Sequence, residues 1–80
     1  MYFAYILKSL KDSGFYYGHS NNLEKRLIEH NKGKVRSTKS RTPFILYYSE
    51  KFPTKSEAYK REMFFKSIEG YKFLKEKGII

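Results

Sequence analysis

The turn Lys11-Asp12-Ser13-Gly14, set between two aromatic-rich segments, constrains this chain more than any other feature. Residues 2 to 9 alternate aromatic and aliphatic side chains and read as a strand, and residues 14 to 19 read as its partner. Gly14 can take positive φ, so the two segments are expected to close as a hairpin at the start of the fold.

The rest of the chain is punctuated as clearly. Asn21 followed by Glu24 resembles a capping box, and Leu23, Leu27 and Asn31 then line one side of a helix that should stop near Gly33. Residues 32 to 42 are basic, rich in Ser and Thr and without periodicity, hence a loop. Phe44 to Tyr48, aromatic and aliphatic between Pro43 and Pro53, suits a buried third strand. Thr54 and Glu57 form a Thr-x-x-Glu box that opens a helix running to about Ser67. Gly70 is expected to break it, and a short helix carrying Phe73 and Leu74 ends at Gly78. The order β-β-α-β-α-α predicts an α/β fold, a small three-stranded sheet flanked by helices.

Eighty residues are expected to form one domain, 1–80, with a compact core. Seventeen Lys and Arg against eight Asp and Glu leave a net charge of +9, which names polyanions as partners, nucleic acid before acidic membrane. Charge alone names no reaction. The absence of cysteine excludes disulfides and thiolate metal sites and suits a reducing cytoplasm. No apolar stretch reaches the length of a membrane span, and Met1-Tyr2-Phe3-Ala4-Tyr5 lacks the marks of a signal peptide. No predicted helix sets a large apolar face against a basic one, which argues against a peripheral membrane role.

Two phenols, Tyr5 and Tyr16, a guanidinium, Arg26, and a carboxylate, Glu62, are the groups that metal-assisted cleavage of a phosphodiester needs. Each has a plainer reading. Among eight tyrosines most must simply pack, although paired strands would let Tyr5 and Tyr16 project from one face, with Gly18 removing bulk beside Tyr16 so that a phosphate can approach. Arg26 either holds phosphate or pairs with Asn22 or Glu29, and His30, one turn on, either meets phosphate or bonds its own loop. Glu62 falls beside the core-facing arc of its helix, where it either pairs with Lys66 or serves chemistry. Lys34, Arg36, Lys39 and Arg41 give the central loop a set of candidate phosphate contacts, or a solvated charge run.

Taken in order, Tyr5, Tyr16-Tyr17-Gly18-His19, Asn22 to Leu27 with Arg26, Glu29-His30-Asn31, Ser56-Glu57-Ala58 and Arg61-Glu62 resemble the GIY-YIG nuclease domain, over about residues 2 to 67. The likeness is to the small stand-alone members more than to modules of DNA-repair, homing or restriction enzymes. It implies an antiparallel sheet, Tyr16 as general base with Tyr5 positioning the water, and Arg26 on the scissile phosphate. It implies Glu62 as the sole protein ligand of one Mg²⁺ or Mn²⁺. His19 stands where some relatives carry a lysine, and there it can tune Tyr16 or be a plain surface histidine. Phe3-Ala4-Tyr5 keeps only the tyrosine of the first name-giving triplet, and Tyr17 fills the middle of the second. Many relatives carry an asparagine beyond the metal-binding glutamate, where this chain offers Lys66, Ser67 or Gly70. The resemblance implies a metal-dependent endonuclease of low sequence specificity, with DNA placed ahead of RNA and a homodimer or protein partner available for targeting. The alternative is a basic DNA- or RNA-binding module on the same scaffold without turnover.

Overall fold

The computed structural model describes residues 1–80. Strand β1 (Tyr2–Ser9) pairs antiparallel with β2 (Phe15–Ser20), which sets Tyr5 opposite Gly18 and Leu7 opposite Tyr16. The hairpin closes as expected, but Ser13, at φ 62°, takes the positive angle. Gly14 provides room instead, since a Cβ there would stand 2.6 Å from the Arg41 guanidinium.

Helix α1 (Leu23–Asn31), a loop with one 3₁₀ turn at Lys39–Arg41, strand β3 (Phe44–Phe52), and helices α2 (Lys55–Phe65) and α3 (Ile68–Glu76) complete the chain. β3 pairs antiparallel with the free side of β1, so the three strands lie in the order β2-β1-β3. The predicted β-β-α-β-α-α order and antiparallel sheet are those the chain adopts.

β1 is the strand buried on both faces. Ala4 and Ile6 pack with Phe65 and Leu74 beneath α2 and α3, while Tyr5 and Leu7 pack with Phe44 against Leu23 and Leu27 of α1. The expectation of a buried third strand is corrected: β3 is an edge, with Phe44 buried but Ile45, Leu46 and Tyr47 exposed. An apolar run signals a strand without saying which neighbours cover it. The register slips between Ile6 and Leu7, leaving Tyr47 as the extra residue of a bulge, and such irregularity discourages edge-to-edge pairing.

Helix ends also differ from the sequence reading. Asn22, not Asn21, caps α1, its side chain accepting from the Lys25 N–H at 3.0 Å. Thr54 caps α2 by accepting from the Glu57 N–H, as the box predicts. Gly70 does not break a helix: α2 ends at Phe65, Ser67 caps α3, and Gly70 lies buried in the first turn of α3. A Cβ there would collide with the Phe64 carbonyl, so the glycine permits close approach of two helices. No helix is long and apolar enough to cross a membrane.

Candidate active site

Tyr5 is 1% exposed on the face of β1 that α1 covers. Its ring lies over Gly18, so the space that the sequence suggests for a phosphate beside Tyr16 is filled by the Tyr5 hydroxyl. Tyr16 projects from the same face of β2, half-buried. The sheet pleat, with its two-residue period, is what brings both phenols to one side.

His30 is placed deeper than helical projection suggests. It is fully buried, edge-on to Tyr16 with ring centroids 5.0 Å apart, and close to Phe44. Its Nε2 lies 3.1 Å from the Tyr5 hydroxyl and its Nδ1 2.8 Å from Thr38 Oγ1, which lies 3.3 Å from the Val35 carbonyl. A carbonyl only accepts, so the Thr38 hydroxyl donates to Val35 and accepts from His30 Nδ1–H. Nε2 is then the acceptor for the Tyr5 proton. Burial, and next the charge of Arg26, push His30 down to about 4, so the ring is neutral at pH 7. Burial pushes the Tyr5 phenol up, with Arg26 acting the other way. Thr38 escaped the sequence reading because one hydroxyl in an aperiodic basic loop carries no local signal.

Arg26 is half-exposed, and its Nη1 lies 3.3 Å from Glu29. Burial works against its charge, but the Tyr5 hydroxyl and Glu29 outweigh it and hold the guanidinium above its usual range.

Glu62 and His19 belong to the other face of the sheet. Ala58, Glu62 and Phe65 are the buried residues of α2, so the carboxylate sits on the arc the helix presses onto the sheet. Its Oε1 lies 2.7 Å from His19 Nδ1 and its Oε2 2.7 Å from Lys66 Nζ. The His19 ring meets Tyr59 edge-on at 5.5 Å. No group of three or more His, Asp or Glu gathers here, so an all-protein metal cage is absent. A single carboxylate still suits a hard cation that keeps most of its waters, and an ionised carboxylate has about four acceptor sites, of which two are taken. The donor set therefore fits Mg²⁺ or Mn²⁺ with Glu62 as the protein ligand.

The two halves meet around β2. Because β2 is an edge strand, groups from both faces can reach its rim, and His19 and Arg26 line one open cleft there, whereas Tyr5, Tyr16, His30 and Glu62 lie outside its lining. The negative charge of Glu62 is felt at the Tyr5 hydroxyl as well. Lys25 and Lys55 also line this cleft, two cations that sequence reasoning missed because neither stands in a motif. None of Lys34, Arg36, Lys39 and Arg41 does. Lys34 borders an adjoining hollow on α1 that shares Asn22, Lys25 and Glu29 with the cleft, and Arg36 and Lys39 are exposed. Arg41 is tied to Asp12 at 2.8 Å and lies over Phe44, an arrangement that holds Asp12 down to about 2.

The family model of the GIY-YIG catalytic domain matches residues 1–72. A UPF0213 protein of Staphylococcus saprophyticus is 45% identical over 75 residues, spanning 92% of this chain and 90% of the relative. The UPF0213 protein YazA of Bacillus subtilis is 43% identical over 68 residues, 84% of this chain and 68% of its own length. The solution NMR structure of a UPF0213 protein from Bacillus halodurans matches with a TM-score of 0.54 and 32% identity, over 95% of this chain and 84% of that one. With the two motif strands paired and nearly the whole length matched, the chain belongs to the GIY-YIG nuclease family, beside the UPF0213 proteins.

Proposed function

We propose that this protein hydrolyses phosphodiester bonds of nucleic acid, DNA ahead of RNA, with Mg²⁺ or Mn²⁺ and little sequence preference. The observation that carries this reading is the open cleft at the edge strand lined by both His19, which is bonded to Glu62, and Arg26, whose charge acts on Tyr5. A merely structural set of ion pairs has no need to bring a guanidinium and a carboxylate-bonded imidazole to one open cleft.

Tyr16 takes the base role in this reading, as the resemblance implies, and Tyr5 the positioning one. The Tyr5 hydroxyl is committed to donating to His30 Nε2. That buried imidazole, already carrying Nδ1–H and held down to about 4, is a poor resting place for a second proton, so the more accessible Tyr16 phenol is left to take the proton from water. Tyr5, fixed on the same face by its bond to His30, helps to position the water. Arg26 holds the scissile phosphate through the part of its fork that Glu29 leaves free. Bound at Glu62, the divalent ion would neutralise charge gathering on the phosphate oxygens. Lys25 and Lys55 hold neighbouring phosphates in the cleft, with Lys34, Arg36 and Lys39 adding outlying charge. Arg41 is committed to Asp12 and receives no phosphate here. A cysteine-free chain of this kind is suited to the cytoplasm.

The test is incubation with Mg²⁺ or Mn²⁺ and labelled duplex, branched and single-stranded substrates, beside a Glu62→Gln control. Metal-dependent cleavage lost in the control supports the proposal. Binding without cleavage under every condition would instead identify a nucleic-acid-binding module on this scaffold.

A further inference from the structure

We propose that Lys66 is a resident competitor for the divalent cation, its ammonium acting as an exchangeable counter-ion that Mg²⁺ or Mn²⁺ must displace from Glu62. The proposal rests on the metal role given to Glu62 above and concerns how tightly the free protein binds the ion.

Three observations carry it. The Lys66 Nζ lies 2.7 Å from Glu62 Oε2, while the other oxygen is engaged by His19 Nδ1 at the same distance, so neither oxygen is left without a protein donor. The two partners are not equivalent. His19 is 24% exposed and set edge-on against Tyr59, whereas Lys66 is 46% exposed at the C-terminal cap of α2, on a flexible stem that can turn into solvent. Glu62 itself, 10% exposed along its side chain, has no such freedom. Finally, Lys66 is the one residue just beyond Glu62 that reaches the carboxylate. The Ser67 hydroxyl caps α3, and at Gly70 the Phe64 carbonyl leaves no room for a side chain.

An ion bound to Oε2 would stand about 2 Å from the oxygen and within a few ångströms of the ammonium. Like charges at that separation repel, and the lysine, being mobile, yields. The pair thus satisfies a nearly buried carboxylate while the ion is absent and lowers affinity by the work of moving the ammonium aside. Helix geometry gives this arrangement directly, because residues four apart with Glu first are the favourable order for an ion pair.

The experiment is a Mn²⁺ titration of the ¹⁵N-labelled protein, following paramagnetic broadening of amides around Glu62 and His19, with no nucleic acid present. Lys66→Gln, which removes the charge and keeps helix propensity, should need about ten-fold less Mn²⁺ for half-broadening, and Lys66→Arg, which keeps the charge, should stay near the parent. Glu62→Gln should abolish the local effect alone and in combination with Lys66→Gln. Unchanged or weaker affinity in Lys66→Gln, with broadening still dependent on Glu62, overturns the competition and leaves the metal reading standing. Broadening that ignores Glu62→Gln overturns both.

Discussion

Tyr5 lies directly opposite Gly18 in the hairpin, and its hydroxyl occupies the space where a Cβ at position 18 would stand. The glycine thereby lets a large ring cross the neighbouring strand and reach His30 on α1. Gly18→Ala should push the ring aside and break the bond to His30. Overpacking at such a site typically costs ~1–3 kcal/mol. Thermal denaturation should show that loss, and single-turnover cleavage should fall with it; an unchanged rate would mean the hydroxyl position is not used in the reaction.

Removing one hydroxyl at a time separates the two phenols. General-base help is worth ~10² to 10⁴-fold, so Tyr16→Phe should lose a rate factor in that range and Tyr5→Phe less. Single-turnover rates under saturating metal decide it. The reverse order would give the base role to Tyr5, and small equal effects would reduce both rings to packing.

His30 should titrate far below an ordinary histidine. Its value is lowered from 6.5 to about 4, so the unfolded chain binds this proton at higher pH than the folded one. Stability gained from burying the neutral ring is therefore complete above about 6.5, declines as pH falls toward about 4, and changes no further below that. NMR titration of the ring protons should give a midpoint near 4, and urea denaturation at pH 7 and pH 5 should show a steeper loss than in His30→Gln. A midpoint near 6.5 would mean that water reaches the ring.

Salt dependence should locate the phosphate track. Lys25→Ala and Lys55→Ala, both in the cleft, should each flatten the log-log salt slope of duplex binding by about 0.9, for every sequence alike. Arg41→Ala should leave the slope unchanged because Asp12 already holds that guanidinium. Arg26→Ala should cost turnover far more than affinity. Flattening by Arg41→Ala but not by the two cleft lysines would move the track to the central loop.

Much of this protein is legible without coordinates, because the signals involved are local. Alternating side chains around a short turn specify a hairpin, Thr54 and Glu57 specify a helix start, and the spacing of Ala58, Glu62 and Phe65 puts a carboxylate on a core-facing arc. The ordered motif residues likewise brought the family into view, which the match over residues 1–72 bears out. The tertiary structure decided what depends on segments distant in the chain. Which strand is central follows from pairing between β1 and β3, so the apolar run at Phe44 could announce a strand but not its edge position. Burial of His30 follows from packing of α1 on the sheet, and only then do Tyr5, twenty-five residues earlier, and Thr38 become its partners. The roles of Gly18 and Gly70 have the same origin, since a glycine's missing Cβ is informative only once the atom that fills its place is known. Local sequence sets periodicity and caps because those act within a few residues, whereas proton acceptors, ion pairs and clefts are made by whichever atoms the closed fold brings into contact.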